Sequence, residues 1–129
     1  MTRTFHLREL SEVFAISKLS PKEPIPRWAM SGKIWSVTRT PSELSIICPQ
    51  TKVPQSLEAE RNLRALQVLD TLTFEMVGVL SSLTVPLANE GISIFALSTF
   101  DTDLILVRAR SFKAACQTLT NAGHNIDTQ

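Results

Sequence analysis

A chain of 129 residues is long enough for one good core or two very small ones. Apolar residues make up 43% and charged residues 19%, which excludes the disordered class. The formal net charge is +1 and no Lys/Arg run exceeds two, so the basic patch a nucleic-acid partner needs is missing. No apolar run reaches the roughly 18 residues of a membrane helix, and no charged-then-apolar leader opens the chain. No membrane partner is expected, and the cytoplasm is the default location. Cys48 and Cys116 stand far apart among apolar neighbours and read as two inert buried thiols, without the spacing of a disulfide or metal site.

The N-terminus alternates: Phe5 and Leu7 share a side, and Val13 and Ala15 oppose Phe14 and Ile16. This predicts two strands joined near Glu9 to Glu12. Pro21, Pro24 and Pro26 force a loop before a short helical turn at Arg27 to Met30, closed by Gly32. Ile34 to Arg39 reads as a strand and Thr40-Pro41-Ser42-Glu43 as a tight turn with Pro in its second place. Leu44 to Cys48 returns as the partner strand. Pro49 to Ser56 is a polar connector.

From Leu57 to Val68, Glu58, Glu60, Arg61 and Arg64 with spaced leucines favour helix on propensity alone. The family resemblance given below assigns Leu63 to Leu69 to strand instead. Met76, Val79, Leu80, Leu83 and Leu87 then make the apolar face of a helix from Glu75 to Asn89. Pro86 should loosen its bonding near Ser82, and Gly91 suits the C-terminal cap. Ile92 to Leu97 and Leu104 to Val107 form a hairpin whose wide turn, Ser98 to Asp103, carries hydroxyls, a ring and two carboxylates. A second helix follows over Ser111 to Ala122, with Ser111 as N-cap, Phe112, Ala115, Cys116 and Leu119 facing inward, and Gly123 as its end.

The order from Leu63 onward is β-α-β-β-α-β, the ferredoxin-like plan of four antiparallel strands with two helices on one face. Residues 13–48 give strand, short helix, strand, strand, an abbreviated copy of it. The fold class is therefore α+β, two ferredoxin-like subdomains in tandem, divided into residues 1–60 and 61–129. Both faces of Ile92 to Leu97 are apolar, so one meets the helices and the other needs a second sheet, from the first half or a second chain. A homodimer is the expected form.

Ser36 to Thr40, Glu43 to Ile46, Gly78 to Leu83, Pro86 to Ala88 and Gly91 to Asp103 resemble the small tandem ACT-domain proteins, bacterial relatives of the ACT modules in CASTOR-type arginine sensors. The match runs from about Val13 to Ile126, and the Gly91 to Asp103 block is its most specific part. The resemblance implies two ACT subdomains and a regulatory protein that binds a small ligand, typically an amino acid, between ACT units. It implies no catalysis. It places ligand contacts at Val77, Gly78 and Val79 on the helix start, and at Ser98, Thr99, Phe100 and Asp103 on the hairpin turn.

Chemistry makes the same residues plausible. Unpaired N–H groups at a helix start suit a carboxylate, and Gly78 lets a ligand approach the backbone. The Thr99 hydroxyl can accept from an ammonium, and Asp103 can pair with a cation. The plainer alternatives are that Phe100 plugs the core, that Asp101 and Asp103 form a solvated turn, and that Asp-x-Asp holds a metal without the rest of a loop site. Trp28 and Trp35 read as core or subdomain-contact residues. His6 and His124 lie in separate strands without catalytic neighbours. No cofactor, metal or catalytic residue is expected. The alternative function is an assembly module that dimerises through its sheets with no ligand.

Overall fold

No Gly, Pro, Asn or Asp interrupts residues 6–19, and Ser11, a weaker turn former, stands alone at the expected turn. The computed structural model, which describes residues 3–128, accordingly shows one strand, β1 (His6–Leu19), in place of the expected pair. The polar run at Glu9 to Glu12 is part of that strand, with Leu10 buried inside it. Further along come β2 (Ser36–Arg39), β3 (Leu44–Pro49), β4 (Ala59–Val68), α1 (Val79–Asn89), β5 (Ile94–Ser98), β6 (Asp103–Arg108), α2 (Phe112–Asn121) and β7 (Asn125–Asp127). The class is α+β with a largely antiparallel sheet, as expected.

The chain divides into two compact units, one of residues 12–63 and one that joins the described residues up to Ser11 with Arg64 onward. This differs from the single boundary at residues 60/61. The reason lies in β1 and β4, whose length lets each strand contribute to both units.

In the unit of residues 12–63 the strand order is β2-β3-β1-β4, with β2, β3 and β1 antiparallel. Its core is small: Ala15, Ala29, Leu44, Ile46, Cys48 and Val53, with Trp28 and Leu57 packed at the edge. Trp35 is exposed, so it is no core residue. The Arg27–Met30 turn is a 3-10 helix, as expected. Arg39 holds the proline loop by donating to the carbonyls of Pro21 and Glu23. β4 begins four residues earlier than predicted. Strand pairing overrides helix propensity there, and Asn62 (φ 59°) is a left-handed residue within the continuous strand, held by the Gln50 amide.

In the other unit the order is β7-β1-β4-β6-β5. The β-α-β-β-α-β sequence is present from β4 to β7, yet β7 pairs with β1 in parallel, His6 opposite Asn125. That corrects the expectation of four antiparallel strands. Phe5 and Leu7 at the start of β1 are apolar and sink into this unit's core with Leu66, Leu83, Leu87, Ile105, Val107, Phe112 and Leu119. The pairing also makes neighbours of the two ends that hold the histidines: His6 meets Asp127 at 2.8 Å, and the buried His124 lies against Phe5.

Both faces of β6 are buried, with Leu104 and Leu106 opposite Ile105 and Val107. β5, at the sheet edge, leaves Phe95 exposed. Cys48 is buried and Cys116 half-buried, both as free thiols.

Candidate functional site

The predicted helix from Glu75 loses its first turn for a backbone reason. Gly78 sits at φ 78°, ψ 13°, a left-handed conformation that a right-handed helix cannot include, so α1 starts at Val79. Residues 73–76 form a separate turn, closed by Met76 N–H donating to the Thr73 carbonyl at 3.0 Å. No side chain caps α1. The hydroxyls of Ser81 and Ser82 donate to the carbonyls of Gly78 and Val79, so they leave the end N–H groups untouched. An uncapped helix start keeps donors available and a partial positive charge.

The β5–β6 turn is closed by its own threonines. Thr99 N–H donates to Thr102 O at 2.8 Å, and the Thr99 hydroxyl both donates to Thr102 O and accepts from Thr102 N–H, each at 3.2 Å. Two further bonds tie this turn to the segment leading into α1: Leu72 N–H to Asp101 O, and the Thr102 hydroxyl to Val68 O, both 2.6 Å. The turn and the helix start are therefore held as two lips of one cleft of about 830 Å³. A space of that size suits a small molecule.

Of the predicted residues, Gly78, Val79, Ser98, Thr99, Phe100 and Asp103 line this cleft. Val77 does not; it is 94% exposed beside it. Phe100 is 98% exposed, which overturns the alternative that it plugs the core. The Thr99 hydroxyl uses its proton and one lone pair within the turn, which leaves its second lone pair free to accept. Asp101 is exposed, whereas Asp103 is 7% exposed, so the two carboxylates of one turn have opposite environments. Among the described residues no hydrogen bond or ion pair to the Asp103 carboxylate is found, and its oxygens are not among the buried polar atoms left without a partner, so water reaches them.

Residues 71–76 are the part of the site that sequence reasoning missed. Thr71, Leu72, Thr73, Phe74, Glu75 and Met76 all line the cleft, and Phe74 is 100% exposed. The available signal was Phe74, an aromatic residue outside every predicted apolar face. With Glu75, Asp101 and Asp103, the lining carries three carboxylates and no Lys, Arg or His. Among the described residues no cluster of three or more His, Cys, Asp or Glu is placed to hold a metal ion, and no helix is long and apolar enough to cross a membrane.

A β-α-β-β-α-β unit with a cleft between its first helix and its central hairpin is the plan of an ACT domain. A family model described as ACT domain matches residues 58–121, and one described as an N-terminal domain matches residues 12–56. The chain belongs to the ACT-domain proteins. It is 31% identical to the human protein CASTOR3P over 102 residues, which are 69% of this chain and 63% of that protein's length. A crystal structure of a protein from Agobacterium tumefaciens matches with a TM-score of 0.93 and 35% identity, covering 98% of this chain and 95% of that one. The regulatory subunit of aspartate kinase from Thermus thermophilus, in its ligand-free form, shares the fold at a TM-score of 0.65 and 11% identity, covering 91% and 96%.

Proposed function

We propose that this protein is a regulatory sensor that binds a free amino acid in the cleft between the α1 start and the β5–β6 turn. The observation that carries the reading is that Asp103, with no cation beside it, and the uncapped start of α1 line the same cleft. A free amino acid is a zwitterion, and its two charges ask for those two features. Its carboxylate meets the helix N–H groups, and a cationic group meets Asp103. With three lining carboxylates and no lining base, the cleft favours a ligand of net positive charge. The ACT-domain match and the aspartate kinase regulatory subunits support a regulatory role and a non-enzymatic chain. In this reading Val77 packs on the ligand-bound form, residues 12–63 are an abbreviated ACT subdomain, and the working form is a cytoplasmic homodimer with ligand between ACT units.

The test is a thermal-shift screen with the twenty amino acids. A ligand at a hundredfold excess over its Kd stabilises by about 2.7 kcal/mol, a rise of several degrees. The expected result is a shift with a basic amino acid and none with an acidic one; no shift with any of the twenty would overturn the reading. A second reading, an assembly module without a ligand, is favoured by Phe95 exposed on the edge strand β5 and by Phe74 and Phe100 exposed on the lips. It predicts a dimer in light scattering that no amino acid alters.

A further inference from the structure

Pro86 lies inside α1 and has no N–H, so the Ser82 carbonyl four residues back has no helical donor. The structure supplies one from elsewhere in the chain. The His124 Nε2 lies 3.1 Å from the Ser82 carbonyl, and its Nδ1 lies 3.0 Å from the Phe5 amide nitrogen. A carbonyl can only accept and a backbone N–H can only donate. Nε2 therefore carries the proton and Nδ1 is bare, which leaves a neutral ring in a single tautomer. The ring is 2% exposed and stacks on Phe5, with centroids 6.0 Å apart and planes 12° apart.

We infer that His124 is a positioning residue for the cleft: it gives Ser82 the hydrogen bond that Pro86 withholds, and so holds the first turn of α1 in the form that lines the site. The connection is short. Ser82 accepts from His124 through its carbonyl and donates its own N–H to the Gly78 carbonyl at 3.0 Å, and Gly78 and Val79 line the cleft. The two bonds lie on neighbouring peptide groups and together fix Ser82 in the turn, so losing the one at its carbonyl loosens the residue and the bond from its N–H. The chain begins at the Phe5 N–H, and the cleft's helix is thereby tied to the start of β1. A histidine serving only to fill space against Phe5 would need neither nitrogen placed this way.

What the cleft is for rests on the amino-acid reading, but the test uses no ligand, so failure of either leaves the other open to judgement. On the wild-type chain, nitrogen NMR of the labelled imidazole should show the Nε2–H tautomer; the Nδ1–H form would overturn the inference. Hydrogen exchange on His124→Phe, which keeps a ring against Phe5, should show protection of the Ser82 amide falling about tenfold or more. Pro86→Ala returns an N–H to the Ser82 carbonyl, so His124→Phe in that background should lose no more than about threefold. An equal loss in both backgrounds, or no loss in either, would show that His124 does not stand in for the missing donor.

Discussion

α1 and α2 are nearly equal in length, eleven and ten residues, and pack into the same core, yet they are built on different rules. α2 is a regular amphipathic helix, with Phe112, Ala115 and Leu119 buried and Lys113, Gln117 and Asn121 facing water. α1 opens on a left-handed glycine, contains a proline, takes one hydrogen bond from a distant histidine, and leaves Leu80 and Val85 exposed. The irregular helix is the one that borders the cleft. Departures from local rules are expected where a protein has something to bind, and here they gather in one element.

The largest effects should fall on what the two helices share. Leu83→Ala and Leu119→Ala each remove a fully buried side chain and should cost about 2–5 kcal/mol in urea denaturation. A cost below about 1 kcal/mol at Leu83 alone would mean that α1 is not packed as α2 is. Gly78→Ala probes the irregular start. A Cβ there meets only the Ser81 hydroxyl at 3.5 Å, so the expected loss of about 1–2 kcal/mol comes from the backbone angle rather than from a clash.

Asp103→Asn should leave the ligand-free protein within about 0.5 kcal/mol, because water reaches the carboxylate and no ion pair is lost. Asp101→Asn, at the exposed position of the same turn, should stay within about 0.5 kcal/mol. Cys116 marks the regular helix. Burial, and after it the charge of Glu9, push its thiol up to about 11 against the opposing pull of Arg64. Alkylation at pH 8 should therefore run about a hundredfold slower than for an unperturbed cysteine, as judged by mass spectrometry. The folded state holds this proton more firmly than the unfolded one. Its contribution to stability is present below the unfolded thiol's range and is lost as pH rises through about 11.

The class of the fold, both helices and the β5–β6 hairpin were legible because their signals are local: apolar spacing at 3.6 or 2 residues and glycines at the ends. The turn's excess of polar groups also pointed to the cleft. What escaped were the features decided by distant partners. β7 joins β1 across the whole length of the chain, and no periodicity in Asn125 to Asp127 announces a parallel neighbour. Asp101 and Asp103 look alike in sequence, and only the strand pairing of Ser98 with Asp103 separates an exposed residue from a largely buried one. The Glu75 start of α1 was misplaced because Met76 fits the helical face, while Gly78 reads as helix or stop according to its φ. The Thr71 to Met76 lip follows no pattern of its own, since its place is set by the bond from Leu72 to Asp101.

The account stands most directly on titration calorimetry of the wild-type chain and of Asp103→Asn with L-lysine, L-arginine and L-glutamate. It predicts saturable binding of a basic amino acid to the wild type, none of L-glutamate, and an affinity at least about tenfold weaker in Asp103→Asn, the loss of one charge-assisted bond. Equal binding by both proteins, or no saturable heat with any of the three, would contradict it.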